Sequence, residues 1–254
     1  MIPNVVPAAS ARLAASLIVA LAALVLPAAA ADRALINMLG YSVDGSHFAF
    51  EEYGIQDGSG FPFSSVFIVD LVDDSWVSGT PIEVRIDDES ATLADARAQA
   101  MDEAKSKLDA LKIEVPVQVL ALIGDGDMNA SGMRVHWSTP ACCGPQFTQA
   151  DAQSLILQTK GITSNESYCE PDFGPVGYVL SFQDQNGVRE LHADGDVLPG
   201  TRGCTLDYRI YAVVQPFENY WAEDFTSRRV AIIASYPFGF EGVDRRFLAV
   251  PIDR

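Results

Sequence analysis

GYVLSFQDQNGVRELH, residues 177–192, decides the fold class. Two short strand-like runs, Gly177 to Phe182 and Val188 to His192, flank Asn186-Gly187, a dipeptide that tolerates left-handed backbone and signals a tight hairpin. The pattern extends both ways. Towards the C-terminus the runs are Thr205 to Val214, Arg229 to Tyr236 and Arg246 to Pro251; towards the N-terminus they are Ser154 to Gln158, Met133 to Trp137 and Val117 to Ile123. Asp125-Gly126 and Asp194-Gly195 add further turns. Nearer the start, Leu35 to Leu39, His47 to Tyr53, Val66 to Leu71 and Ile82 to Ile86 are separated by clusters of Gly, Asp, Ser and Pro. Many short strands joined by tight turns predict a mainly β (α+β) protein of antiparallel sheets.

One segment breaks the pattern. From Leu93 to about Lys112, Leu93, Ala96, Ala100, Ala104, Leu108 and Leu111 recur every three or four residues, predicting one long amphipathic helix near residues 92–112. Thr92, with Asp95 three residues on, has the form of a capping box, and Glu103 with Lys107 can pair on the wet face. The narrow, alanine-rich stripe suits close packing on a sheet better than capture of a partner. No linker divides the chain, so residues 32–254 are expected to form a single mainly β domain; a division near residue 113, marked by the helix, is the alternative.

The first 31 residues read as a cleavable secretory signal: Arg12, an apolar run from Leu13 to Leu26, Pro27, then Ala29, Ala30 and Ala31 before Asp32. A retained anchor helix is the competing reading, disfavoured by Pro27 and the small residues at the junction. Cleavage at Ala31 leaves 16 basic residues against 34 acidic ones, a net charge of −18. Such a field excludes nucleic acid as a partner and disfavours an anionic membrane surface. The expected location is periplasmic or secreted, with no membrane association beyond the signal peptide.

Cys142, Cys143, Cys169 and Cys204 give an even count in an exported chain, which predicts disulfides. A bond between neighbours would strain the intervening peptide, so Cys142 and Cys143 are each expected to pair with Cys169 or Cys204, in either combination. Cys142-Cys143 lacks the spacing of a redox dithiol, and His136 with the cysteines lacks a zinc spacing.

Tyr41-Ser42-Val43-Asp44-Gly45 followed by Phe48-Ala49-Phe50 resembles the Ser-x-Asp-Gly turn of a β-propeller blade, but no second copy follows at 40–50 residues. A closer resemblance joins that motif to the run from Glu51 to Pro62, then Trp76, Gly79-Thr80-Pro81, Gly239-Phe240-Glu241-Gly242 and Asp244-Arg245-Arg246. On these residues the chain resembles the bacterial family of predicted secreted proteins called domain of unknown function 2259. The resemblance implies export and one domain, and brings no catalytic residue with it.

The loop from Gly54 to Phe63 combines three glycines, Asp57 and the aromatics Phe61 and Phe63, a composition suited to contact with a ligand. Glu51 and Glu52 precede it. As strand neighbours they point to opposite faces and cannot form one acid/base pair, although either could join Asp44 or Asp57 across the hairpin. Asp125-Gly126-Asp127-Met128-Asn129 opens like a calcium loop, yet Ala130 and His136 stand where glycine and glutamate are required. The three histidines are scattered, Asn165-Glu166-Ser167 is a chance glycosylation match, and no Gly-x-Ser-x-Gly, phosphate loop or His-Glu-x-x-His is present.

These observations predict a non-catalytic binding or interaction protein that needs no cofactor or metal. Its partner would be an envelope protein or a small ligand, held through Glu51, Glu52, Asp57 and Phe61. The rivals are an envelope enzyme using Asp57 with Glu51 or Glu52, and a divalent-cation-binding protein.

Overall fold

Alternation along β13, Val230–Pro237, organises the core. Val230, Ile232 and Ala234 pack to one side and Ala231 and Ile233 to the other, so both faces of the strand are buried. A strand without a polar face belongs in the middle of a layered structure. That is its place in the computed structural model, which describes residues 31–123, 131–138, 152–169, 174–217, 228–240 and 242–253.

Sheet II, the middle layer, has the order β14 (Arg246–Pro251), β13, β12 (Thr205–Pro216), β7 (Val117–Leu122). On one face lies sheet III: β11 (Gly187–Ala193), β10 (Val176–Asp184), β9 (Ala152–Gly161), β8 (Arg134–Ser138). Tyr178, Leu180, Leu155 and Trp137 of sheet III meet Tyr208, Ile210 and Ile233 of sheet II there. On the other face lies sheet I, in the order β4 (Ser75–Trp76), β3 (Pro62–Asp70), β2 (His47–Ile55), β1 (Leu35–Ser42), β6 (Ile113–Val115), with β5 (Ile82–Arg85) also paired to β3. Its Phe48, Phe50 and Phe67 meet Val214, Ile232 and Phe247. All of these ladders are antiparallel. In β12 a bulge between Ile210 and Ala212 puts Ile210 on the sheet III side and Ala212 on the sheet I side.

The helix α1, Leu93–Ala110, covers the outer face of sheet I. Its Ala96, Ala100 and Ala104 are fully buried against Val66 and Val84. A buried methyl contributes only about 0.8 kcal/mol, so the alanines matter chiefly by letting the helix approach the strands. Thr92 and Asp95 make the expected capping box: Thr92 Oγ1 accepts the Asp95 N–H and the Asp95 carboxylate accepts the Thr92 N–H. The helix ends two residues before the expected limit, and Lys112 adopts a positive φ of 52° before β6 turns back beside β1. At that junction Gly40 is required, because a Cβ there would sit 2.8 Å from the Val115 carbonyl oxygen.

The β10–β11 hairpin turns one residue earlier than Asn186-Gly187 predicts. Gln185 and Asn186 form the connection, and Gly187, at φ 122°, already pairs with Asp184. Asp184 accepts the Asn186 N–H, so the segment follows the type I preference for Asp at the first position and Gly at the fourth.

The cysteines correct the expected pairing. Cys169 and Cys204 bond to each other, with Cα atoms 5.3 Å apart, and neither bridges to the adjacent pair. Two chain segments next to the start of β12 are tied where Cys169 meets Cys204, a proximity set by the fold and not by sequence spacing. Cys142 and Cys143 lie outside the described residues, as do the segment Asp125–Asn129 and the signal segment up to residue 30.

Candidate functional site

Glu51 and Glu52 follow one another in β2, and pleating sends them into different environments. Glu51 points to the helix. Arg97 of α1 grips it with both arms of its guanidinium, Nε to Oε1 at 2.8 Å and Nη2 to Oε2 at 2.8 Å. Ser64 Oγ and Asn37 Nδ2 donate to the same carboxylate at 2.9 and 3.1 Å. Burial pushes this carboxyl's pKa up, but the hydrogen bonds from Arg97, Asn37 and Ser64 outweigh it and hold the pKa below the ordinary glutamate value. With both oxygens occupied, Glu51 joins the helix to sheet I and has no free face for a ligand.

Glu52 points the other way, between sheets I and II, and is 3 % exposed. Its Oε1 accepts the backbone N–H of Phe247, an outward-facing donor of the edge strand β14; Oε2 has no partner among the described residues. Burial pushes its pKa to about 7, against the pull of that N–H and of the Arg246 charge, with Glu83 adding to the rise. Register explains the role of Glu83. Glu52 and Glu83 both lie opposite Ser65, one on each side of β3, so all three form a row on the same face of sheet I.

That face opens into a cleft of about 640 Å³. Glu52, Ser65 and Glu83 line one wall, beside Phe63 and Phe67 of β3. Trp76, Tyr168 and Phe238 also line it and remain 42 %, 49 % and 40 % exposed. Trp76 stands edge-on to Phe67, ring centres 5.6 Å apart. Arg246 enters from β14, its guanidinium carbon 5.2 Å from the Phe63 ring centre. It donates to the carbonyls of Asp32 and Arg245 at 2.9 and 2.8 Å and lies 3.6 Å from the Asp32 carboxylate and 3.8 Å from that of Asp244.

The loop holding the other two predicted residues is smaller than its sequence implies. Gly54 pairs with Phe63 and Ile55 with Pro62, so four of the ten residues belong to the strands. Residues 56–61 close on themselves, the Gln56 N–H donating to the Phe61 carbonyl at 2.9 Å and the Gly60 N–H to the Gln56 carbonyl at 3.0 Å. Phe63 is a core residue. Phe61 is half-buried and does not line the cleft, whereas its loop neighbour Gln56 does. The Asp57 N–H donates to the Asp32 carboxylate, and its own Oδ2 is buried with no partner among the described residues. Asp57 thus joins Asp32 and Asp244 at one end of the cleft. Burial raises the Asp244 carboxyl, and Asp32 and Asp57 raise it further, against the Asp32 N–H and Arg246.

Of the four predicted residues, therefore, only Glu52 faces the cleft directly. Glu83, Asp244, Arg246, Trp76, Tyr168 and Phe238 are additions that only the fold brings together. The alternation Ile82-Glu83-Val84-Arg85 gave the one local signal, separating Glu83 from the buried Val84.

A second polar cluster is closed. Asp194, buried, accepts the Tyr178 N–H at 2.8 Å, Arg202 Nη1 at 2.7 Å and His192 Nε2 at 2.9 Å, while Arg202 sits 5.0 and 5.8 Å from the Tyr178 and Tyr208 ring centres. Its bonds are used within the protein. Of the other histidines, His47 contacts Ser46 in the Asp44 turn and His136 contacts Ser154. Among the described residues no group of three or more His, Cys, Asp and Glu is arranged to hold a metal ion.

Residues 49–253 match the family described as predicted secreted protein (DUF2259), and the chain belongs to that family. No curated protein matches it. Among the described residues no helix is long and apolar enough to cross a membrane.

Proposed function

We propose that this member of a predicted secreted family is a ligand-binding protein of the periplasm or extracellular space, and that its site is the cleft between sheets I and II. One observation carries the reading: three half-exposed aromatic side chains, Trp76, Tyr168 and Phe238, converge on a single cavity whose wall holds a buried carboxyl with an unused oxygen. Concave sites that combine aromatic surface with convergent polar groups are where small molecules bind, this cleft is lined by both, and about 640 Å³ lies within the usual range of such sites. Strands β2, β3, β5 and β14 supply one part of the wall, and the segments carrying Tyr168, Gly200–Gly203 and Phe238 supply the rest.

The loop over residues 56–61 then serves as a rim and not as the recognition surface. A fragment screen by ligand-observed NMR tests the proposal, with Trp76→Ala as counter-screen. Hits that lose their signal on Trp76→Ala support it; hits indifferent to that change place the binding surface elsewhere and overturn it. The enzyme reading survives only in altered form. Glu51 is withdrawn from it by Arg97, and the carboxylates in one row on the cleft wall are Glu52 and Glu83.

A further inference from the structure

We infer that the cleft takes a small organic cation with an apolar body, its positive charge between Glu52 and Glu83 and its apolar part against the rings of Trp76, Phe67 and Phe238. The inference rests on the cleft being the binding site and adds the class of ligand.

The charge inventory of the walls points to a cation. Three arginines line the cleft, and each already faces a carboxylate: Arg85 has Asp87 at 2.7 Å, Arg202 has Asp194 at 2.7 Å, and Arg246 lies between Asp32 and Asp244. Glu52 and Glu83 form no ion pair among the described residues. Beyond them, the carboxylates of Asp32, Asp57 and Asp244 gather at one end around Arg246. Glu52 is 3 % exposed, and its one oxygen without a hydrogen bond among the described residues opens to the cleft, where a matching charge can meet it.

Geometry supplies the fit. Glu52 and Glu83 lie two strands apart on one row, about 9–10 Å between Cα atoms from ordinary strand spacing, which leaves room for an ammonium group between the two side chains. Aromatic faces beside carboxylates are the general means of holding an organic cation, through ring quadrupole and charge together. A bare metal ion is the wrong guest, because no group of three or more ligating residues among those described is arranged for one.

A proton is coupled to this binding. Glu52 is largely protonated below about pH 7, and a bound cation favours its carboxylate, so uptake in mild acid releases a proton and weakens as pH falls. The charged groups facing Glu52 are Glu83 and Arg85 of β5, Arg246 of β14, Asp244 before it and Arg202 across the cleft. Of these, Asp244 shifts in the same direction as Glu52.

Isothermal titration calorimetry of the purified protein with 2-phenylethylamine, 2-phenylethanol and phenylacetate, at pH 5.5 and pH 8, tests the inference. At pH 8 the amine is expected to bind at least about tenfold more tightly than the alcohol, with the acid weakest. At pH 5.5 the amine should lose about tenfold while the alcohol is unchanged. Glu52→Gln should remove that pH dependence. Glu83→Gln, at an exposed position whose loss does not threaten folding, should weaken the amine alone. An alcohol or acid that binds as tightly as the amine overturns the cation and leaves the cleft standing. Failure of all three probes to bind overturns both.

Discussion

The two faces of β2 carry the same residue type at almost the same surface exposure and shift its proton affinity in opposite directions. Glu51 is 0 % exposed and Glu52 3 % exposed. Four donated hydrogen bonds and the Arg97 charge keep Glu51 ionised; one backbone N–H leaves Glu52 with a pKa of about 7. The difference lies in the partners and in the depth: Glu51 is covered by the one-third-exposed Arg97 near the surface, whereas Glu52 lies deeper, between two sheets, and loses more solvation. The helix side of sheet I is a finished polar contact. The cleft side is an unfinished one, and a deeply buried carboxyl with few partners in a cleft is what marks a candidate site.

Removing the partner on the finished side gives the largest expected effect. Arg97→Met keeps the length of the stem but leaves Glu51 buried without its cation. The expected loss is about 2–4 kcal/mol in urea unfolding, less than for a fully buried pair because the guanidinium is one-third exposed and Ser64 and Asn37 remain. A loss below about 1 kcal/mol would make the two faces of β2 equivalent and undo the comparison.

On the unfinished side the effect depends on pH, and its sign is fixed. Glu52 has a raised pKa when folded, so between the ordinary value of 4.5 and about 7 the native state holds a proton that the unfolded chain does not. Stability from this group is therefore fully present below about pH 4.5 and is lost as pH rises from there to about 7, by about 3 kcal/mol in all. Glu52→Gln should flatten that slope, measured as the difference in Tm between variant and parent from pH 5 to pH 8. A parent that gains stability relative to the variant over this range would show that Glu52 is paired like Glu51.

Strands, helix and cap were legible because they depend on neighbours in sequence. Thr92 with Asp95, the alanine stripe and the turn residues each report on one local segment. The two-residue strand β4 and the three-residue β6 have no signal in the sequence, since so few residues carry no periodicity. Pleating alone separated Glu51 from Glu52, but nothing near them in sequence names Arg97, Phe247 or Glu83 as their neighbours. Cys169 failed as a pairing prediction for the same reason: its partner was chosen by the packing around β12. Long-range contacts decided both the site and the bridge.

Trp76→Ala gives a smaller change in stability, about 1–2 kcal/mol, because the ring is 42 % exposed and meets Phe67 edge-on. Its expected effect on binding is larger: the affinity for 2-phenylethylamine should fall severalfold in calorimetry. Unchanged affinity would remove the aromatic wall from the site.

Phe61→Ala gives the smallest change of all, and it separates the cleft from the loop that the sequence favoured. The bonds that close residues 56–61 run from the Gln56 N–H to the Phe61 carbonyl and from the Phe61 N–H to Ser59 Oγ, so they involve the Phe61 backbone and survive loss of its ring. The ring is half-buried and lies off the cleft wall, so its removal should cost about 1 kcal/mol or less, against roughly 3–5 kcal/mol for Phe63→Ala two residues on in the core. Affinity for 2-phenylethylamine should stay within about twofold of the parent, because Phe61 does not line the cleft. If Phe61→Ala weakens the amine more than Trp76→Ala does, recognition belongs to the hairpin loop and the cleft loses its claim.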